Sequence, residues 1–227
     1  MLANVVDQTV HQEDLIKAHV AMCGAILADG LASVWDQPAK QEFVVAATRL
    51  LGSFFETSPG NPHSVANNWW AVTHSSLYCL ARAVGQLGGD TAAAGRSAGE
   101  LAQWAWARIE AFLSHVGPAG ACHEGLGYLG YTGASLLPAV LLRRDDGDWT
   151  PPSGLSKLAG TLFATAIEGQ TPSDEAESPP SWGRILTWKD AGNGWLAGPT
   201  PLLAICLAPP EERAALRQLW DKLSGHL

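Results

Sequence analysis

Apolar side chains recur every three to four residues through successive stretches of this chain, and no stretch alternates apolar with polar, which confines the backbone to helices. Over residues 14–28, Leu15, Ile16, Val20, Met22, Cys23, Ile26 and Leu27 lie at helical spacing, and Gly30 follows as a stop. A second helix opens after Asp36, with Pro38 in its first turn, and carries Phe43, Val44, Ala47, Leu50, Leu51, Phe54 and Phe55. Ser64 is positioned to cap a third helix bearing Val65, Trp69, Val72, Leu80, Val84 and Leu87, which Gly88 and Gly89 end. Further helices are predicted over 92–116, 131–143, 155–167, 201–207 and 209–223, with a glycine-rich loop at 117–127 and an acidic, proline-rich one at 169–180. Eight helices with mostly short connections imply antiparallel neighbours in one domain spanning 1–227. The expected class is all-α, a bundle or an incomplete (α/α) toroid of helical hairpins.

Composition narrows the function. Of 227 residues 47% are hydrophobic and 16% charged, so the chain has ample apolar surface for a core and is not globally disordered. The net charge is −8 with no Lys/Arg cluster, which argues against a nucleic-acid partner. Cys23, Cys79, Cys122 and Cys206 are far apart and form no zinc-type spacing with histidine; they read as buried free thiols or at most one or two disulfides, and no metal or cofactor is expected. No apolar run reaches the roughly 18 residues of a membrane span. The first residues lack a basic stretch leading into an apolar one, so the chain as it stands reads as cytoplasmic, or as periplasmic or secreted should its natural start lie upstream.

Three segments concentrate polar and aromatic chemistry. The first, 64–80, contains Asn67-Asn68-Trp69-Trp70 and His74. Asparagine is a poor interior helix former and tandem tryptophans cannot face one core, so the reading divides this helix into a functional stripe of Asn67, Trp70 and His74 and a core stripe of Trp69, Val72 and Leu80. The structural alternative makes an asparagine the helix cap and the tryptophans packing. In the second, 121–137, glycines let the backbone bend closely around His123, Glu124, Tyr128 and Tyr131, or form a simple connection with packed tyrosines. The third, 181–203, places Trp182, Trp188 and Trp195 beside Arg184, Lys189, Asp190 and Asn193, as a sugar-sized cleft or as a loop anchored by buried indoles.

Asn67-Asn68-Trp69 with Val72, followed by Glu124-Gly125-Leu126-Gly127-Tyr128-Leu129-Gly130-Tyr131, resembles the paired signature of the heparinase II/III-like and alginate-lyase-like polysaccharide lyases. Val34-Trp35-Asp36 and Trp188-Lys189-Asp190 resemble two further stretches of that family. The pattern departs from it where Pro118 to His123 replaces a DGG run and Thr132 follows Tyr131 in place of glycine. The resemblance implies an incomplete helical toroid acting on an acidic polysaccharide or oligosaccharide by β-elimination, without the β-sandwich that full members carry.

Within that resemblance, Asn68 is the amide that neutralises the uronate carboxylate, with Asn67 second. Tyr131 carries proton transfer and His123 is the partner histidine. Asn67, Trp69, Trp70, His74, Glu124, Tyr128, Trp188 and Arg184 contact substrate. The chemistry suits these groups, because an amide donor stabilises the enolate-like intermediate and a phenol protonates the leaving oxygen. A net charge of −8 repels a polyanion, so binding requires a local cationic cluster, for which Arg82, Arg184 and Lys189 are the candidates. The alternative is a non-catalytic module that binds carbohydrate or protein, or an inactive remnant. A glycoside hydrolase would need two facing carboxylates, and no tight acidic pair stands out in the sequence.

Overall fold

The computed structural model describes residues 2–57, 65–89, 93, 95–120, 126–164, 166–167, 184–185 and 199–223. The fold is all-α. The helices are α1 (Leu2–Thr9), α2 (Asp14–Leu31), α3 (Gln37–Thr57), α4 (Asn68–Gln86), α5 (Ala98–Leu113), α6 (Leu126–Asp145), α7 (Ser153–Ala164), α8 (Thr200–Leu207) and α9 (Pro210–Leu223). A two-residue antiparallel ladder joins β1 (Ala166–Ile167) to β2 (Arg184–Ile185), pairing Ala166 with Ile185 and Ile167 with Arg184. No helix among the described residues is long and apolar enough to cross a membrane. The chain forms two compact units, Met1–Phe112 and Leu113–Leu227.

In the first unit, α2 packs on α4 through a face of small residues: Ala18, Ala21, Gly24, Ala25 and Ala28 are all buried. Among them sits Lys17, with no exposed surface. Its Nζ donates to the Ser53 carbonyl at 3.2 Å and to Asp14 Oδ1 at 3.5 Å, and lies 5.5 Å from the centre of the Phe54 ring. These partners are what a buried ammonium requires in place of water. α3 begins as the sequence predicts: Asp36 Oδ1 accepts the Ala39 N–H at 2.9 Å, and Pro38 occupies the first turn. Its Phe43, Val44, Ala47, Leu50, Leu51 and Phe54 are buried, while α1, absent from the predicted helices, adds Val6 to the core and the turn after it adds Val10. α4 is enclosed from Ala71 to Val84 with Arg82 alone half-exposed, so the predicted division into a functional and a core stripe gives way to burial on all sides. Cys79 lies inside this helix, where burial pushes its thiol pKa up to about 12.

α5 begins at Ala98, where the sequence predicted 92. Ala93 and Arg96 exchange backbone hydrogen bonds across a turn in which Gly95 takes φ +73°. A capping box then starts the helix: the Ser97 hydroxyl accepts the Glu100 N–H at 3.2 Å, and Glu100 Oε2 accepts the Ser97 N–H at 2.7 Å.

In the second unit, α6 contributes Leu129, Thr132, Leu136, Leu137, Ala139 and Val140 to the core and contains Pro138 within the helix. α8 meets α6 where Gly133 leaves room for Thr200, whose Oγ1 donates to the Gly130 carbonyl at 2.6 Å; a Cβ at Gly133 would stand 2.4 Å from the Thr200 methyl. α7 packs Leu155, Leu158, Ala159, Leu162 and Phe163 inward, and its first turn touches the 117–120 turn. α9 buries Trp220, with Glu211 and Glu212 in its first turn and Lys222 in its last, as the helix dipole favours.

Candidate functional site

The tandem asparagines open α4. Asn67 has extended backbone angles and its Oδ1 accepts the Trp69 N–H at 2.7 Å, so Asn67 is the N-cap. The sequence offers this role to Ser64, which lies outside the described residues, and alternatively to one of the two asparagines; the structure gives it to Asn67. Replacing Asn67 with alanine is expected to lower stability by about 1 kcal/mol and with aspartate by much less, measured by urea denaturation. Equal losses in the two variants would show that the cap contributes nothing. Asn68 is the first residue of the helix and is buried, while Trp69 is half-buried.

Trp70 turns toward α5, and its indole Nε1–H donates to the Arg108 carbonyl at 2.9 Å. One helical turn on, the His74 ring lies 4.5 Å from the Trp70 ring, and its Nδ1 is 2.7 Å from the Trp70 carbonyl. A carbonyl only accepts, so Nδ1 carries the proton and Nε2 is the bare nitrogen of a neutral imidazole. Burial lowers the His74 pKa to about 4; the hydrogen bond to Trp70 opposes this, the Arg108 charge adds to it, and Asp14 opposes it. The side chain is only 2% exposed. It therefore supports its neighbours rather than meeting a polymer directly.

Around this pair stands a cluster absent from the predicted site. The Trp104 ring of α5 lies 5.4 Å from His74 and 5.0 Å from Phe55 of α3. The Arg108 guanidinium is stacked 3.7 Å from the centre of the Trp104 ring, and Arg96 lies 5.7 Å from that ring and 5.5 Å from Phe55. Arg96, Arg108, Phe55, Trp70 and Trp104 are all half-buried, so the cluster meets solvent. The Trp104/Arg108 spacing of four residues was legible in the sequence. The convergence of Arg96, Phe55 and Trp70 on it comes from packing between elements and left no sequence signal.

Arg82 donates to the Tyr78 hydroxyl at 3.2 Å and lies 5.8 Å from that ring. Arg184 belongs to β2, and Lys189 lies outside the described residues.

In the second unit, Tyr128 and Tyr131 stand three residues apart in the first turns of α6. Tyr131 is 39% exposed, and burial of the remainder raises its pKa, which keeps the phenol protonated at neutral pH. The Thr200 bond to Gly130 ties down the adjoining turn, and a Cβ at Gly130 would meet nothing within 4 Å. His123, Glu124 and Trp188 lie outside the described residues. Asn68 thus belongs to one unit and Tyr131 to the other.

Among the described residues, no group of three or more His, Cys, Asp and Glu gathers at metal-binding distance. A groove of about 690 Å³ lies among α1, α2 and α3, lined by residues including Val5, Val20, Leu27, Trp35 and Phe43, and it contains none of the predicted site residues. The chain matches no protein-family model, no curated protein and no solved structure.

Proposed function

We propose that this chain is a polysaccharide lyase-like protein that cleaves uronate-containing polymers by β-elimination, built as an incomplete (α/α) toroid of antiparallel hairpins. The observation that carries the reading is the protonated, solvent-reaching phenol of Tyr131 at the start of α6. A phenol kept neutral is suited to give its proton to a leaving oxygen and ill suited to begin as a base. In the reaction, His123 takes the C5 proton, the C5–H electron pair forms the C4–C5 double bond, and the C4–O bond breaks toward the leaving oxygen. Tyr131 protonates that oxygen. Asn68 donates to the uronate carboxylate, so that charge developing beside C5 is met by a fixed dipole. By the resemblance, Trp69, Tyr128, Glu124, Trp188 and Arg184 are the residues that contact the sugar, while Trp70 and His74 pack together near the start of α4.

A second reading, a carbohydrate-binding module without turnover, is favoured by the structural use of Asn67 as a cap and of Trp70 as a donor to a backbone carbonyl. Incubation with alginate, heparan sulfate, chondroitin and hyaluronan, followed by ultraviolet absorbance of the unsaturated uronate, separates the two. Under the lyase reading Tyr131→Phe lowers kcat at least about 100-fold, and Asn68→Ala lowers it by a comparable factor. Full turnover in Tyr131→Phe removes the assignment, and binding without product in the unmodified protein selects the second reading.

A further inference from the structure

We infer that Arg96 and Arg108, gathered on the Trp104 indole, form an anion subsite that takes the carboxylate of an acidic glycan while its sugar ring packs on the adjoining aromatic surface. The inference rests on the proposed function for the identity of the ligand, and on the cluster's own geometry for the site.

Two guanidinium groups lie within 6 Å of one indole, at 3.7 and 5.7 Å. Among the described residues, neither makes an ion pair with a carboxylate. The Arg108 side chain donates to the Trp104 carbonyl at 3.3 Å, and the Arg96 side chain is held by its ring contacts with Phe55 and Trp104. A guanidinium carries five N–H donors, so most of the pair's donors have no acceptor among the described residues. The carboxylate whose field reaches Arg96 is that of Glu100, already engaged by the Ser97 N–H and hydroxyl. Arg108 is partly desolvated and repelled by Arg96, both of which lower its pKa. Two positive charges thus stand together on this face of a protein whose net charge is −8.

An anion relieves the repulsion and receives paired N–H donors from a planar fork, which a carboxylate or sulfate matches and a hydroxyl does not. Half-exposed Trp104, Trp70 and Phe55 supply the apolar surface that sugar rings pack against. Polar and aromatic parts of one ligand are thereby met at one place on the first unit. The cationic patch that a polyanion requires comes from Arg108 of α5 and Arg96 just before it.

The test measures binding of short alginate oligosaccharides and of a neutral maltooligosaccharide to the full chain by titration calorimetry, with turnover of alginate followed on the same preparations. Arg96→Gln and Arg108→Gln are each expected to weaken alginate binding about 10-fold, and the double variant about 100-fold if the two add. Raised salt should weaken the unmodified protein's binding and leave the maltooligosaccharide unaffected. Arg96→Lys combined with Arg108→Lys is expected to keep only part of the affinity, because the charge stays and the fork is lost. Arg96→Gln keeps the inference testable if Arg108 variants unfold, since Arg96 makes no side-chain hydrogen bond among the described residues. The inference is overturned if the unmodified protein binds no alginate oligosaccharide, or if a folded Arg96→Gln protein binds it within twofold of the original. Arginine-dependent binding without product defeats the lyase reading and leaves the subsite standing. Turnover with KM indifferent to both arginines does the reverse.

Discussion

Gly154→Ala is expected to destabilise the second unit by about 3 kcal/mol or more, and Gly120→Ala to do at least as much. An added Cβ at Gly154 would stand 2.2 Å from the Gly117 carbonyl oxygen, and one at Gly120 would stand 2.5 Å from the Gly154 carbonyl oxygen and 2.9 Å from Leu158 Cα. These obstacles are backbone atoms, so no side-chain rotation relieves them. Gly120 carries a second penalty, since its φ of +84° lies in the left-handed region, which costs an L side chain about 1 to 2 kcal/mol. The contact is a direct backbone approach between the 117–120 turn and the first turn of α7. Gly160 supplies the comparison within the same helix: it is exposed, and its Cβ would meet nothing within 4 Å. Gly160→Ala is therefore expected to stabilise by about 0.5 to 1 kcal/mol. Thermal and urea denaturation of the three variants checks the set, and a Gly154→Ala protein that melts with the original would refute the close approach.

The second large effect is on pH. His74 titrates near 6.5 in an unfolded chain and near 4 in the folded one, because burial disfavours its charged form. Above pH 6.5 the ring is neutral in both states and the full stability is present. Below that, the unfolded chain takes up a proton that the native one refuses, so stability falls progressively until the pH passes about 4. The whole interval corresponds to about 3 kcal/mol. His74→Phe keeps a ring beside Trp70 and Trp104 and removes the titration. The variant should therefore lose markedly less stability than the original protein between pH 7 and pH 4.5. Equal losses in urea denaturation at the two pH values would mean that His74 is not the group responsible.

How much of this was legible in the sequence depended on the range of the interaction. The start of α3 was readable because Asp36 and Pro38 act on their own first turn. The start of α5 differs from the expected one although an equally local signal is present: Ser97 and Glu100 have capping-box spacing, and the alanines before them extend the apparent helix. α1 was missed because its eight residues are too few to advertise a helix, and its burial comes from contact with α3 and α2. At the candidate site, Asn67 as a cap was one of the two local readings. The Trp70–His74 pair also followed from helical spacing. So does Arg108 on Trp104, four residues apart on α5; the convergence of Phe55, Trp70 and Arg96 on them does not, because these come from separate segments and no periodicity records which will meet.

The enclosure of α4 also bears on the thiols. Cys79 is 3% exposed and held far from its thiolate form, whereas Cys23 and Cys206 are exposed, one in each unit. Alkylating reagents attack thiolates, so Cys23 and Cys206 react from the native molecule while Cys79 waits for α4 to be uncovered. The labelling rate of that one sulfur is thus a built-in clock for the opening of the first unit.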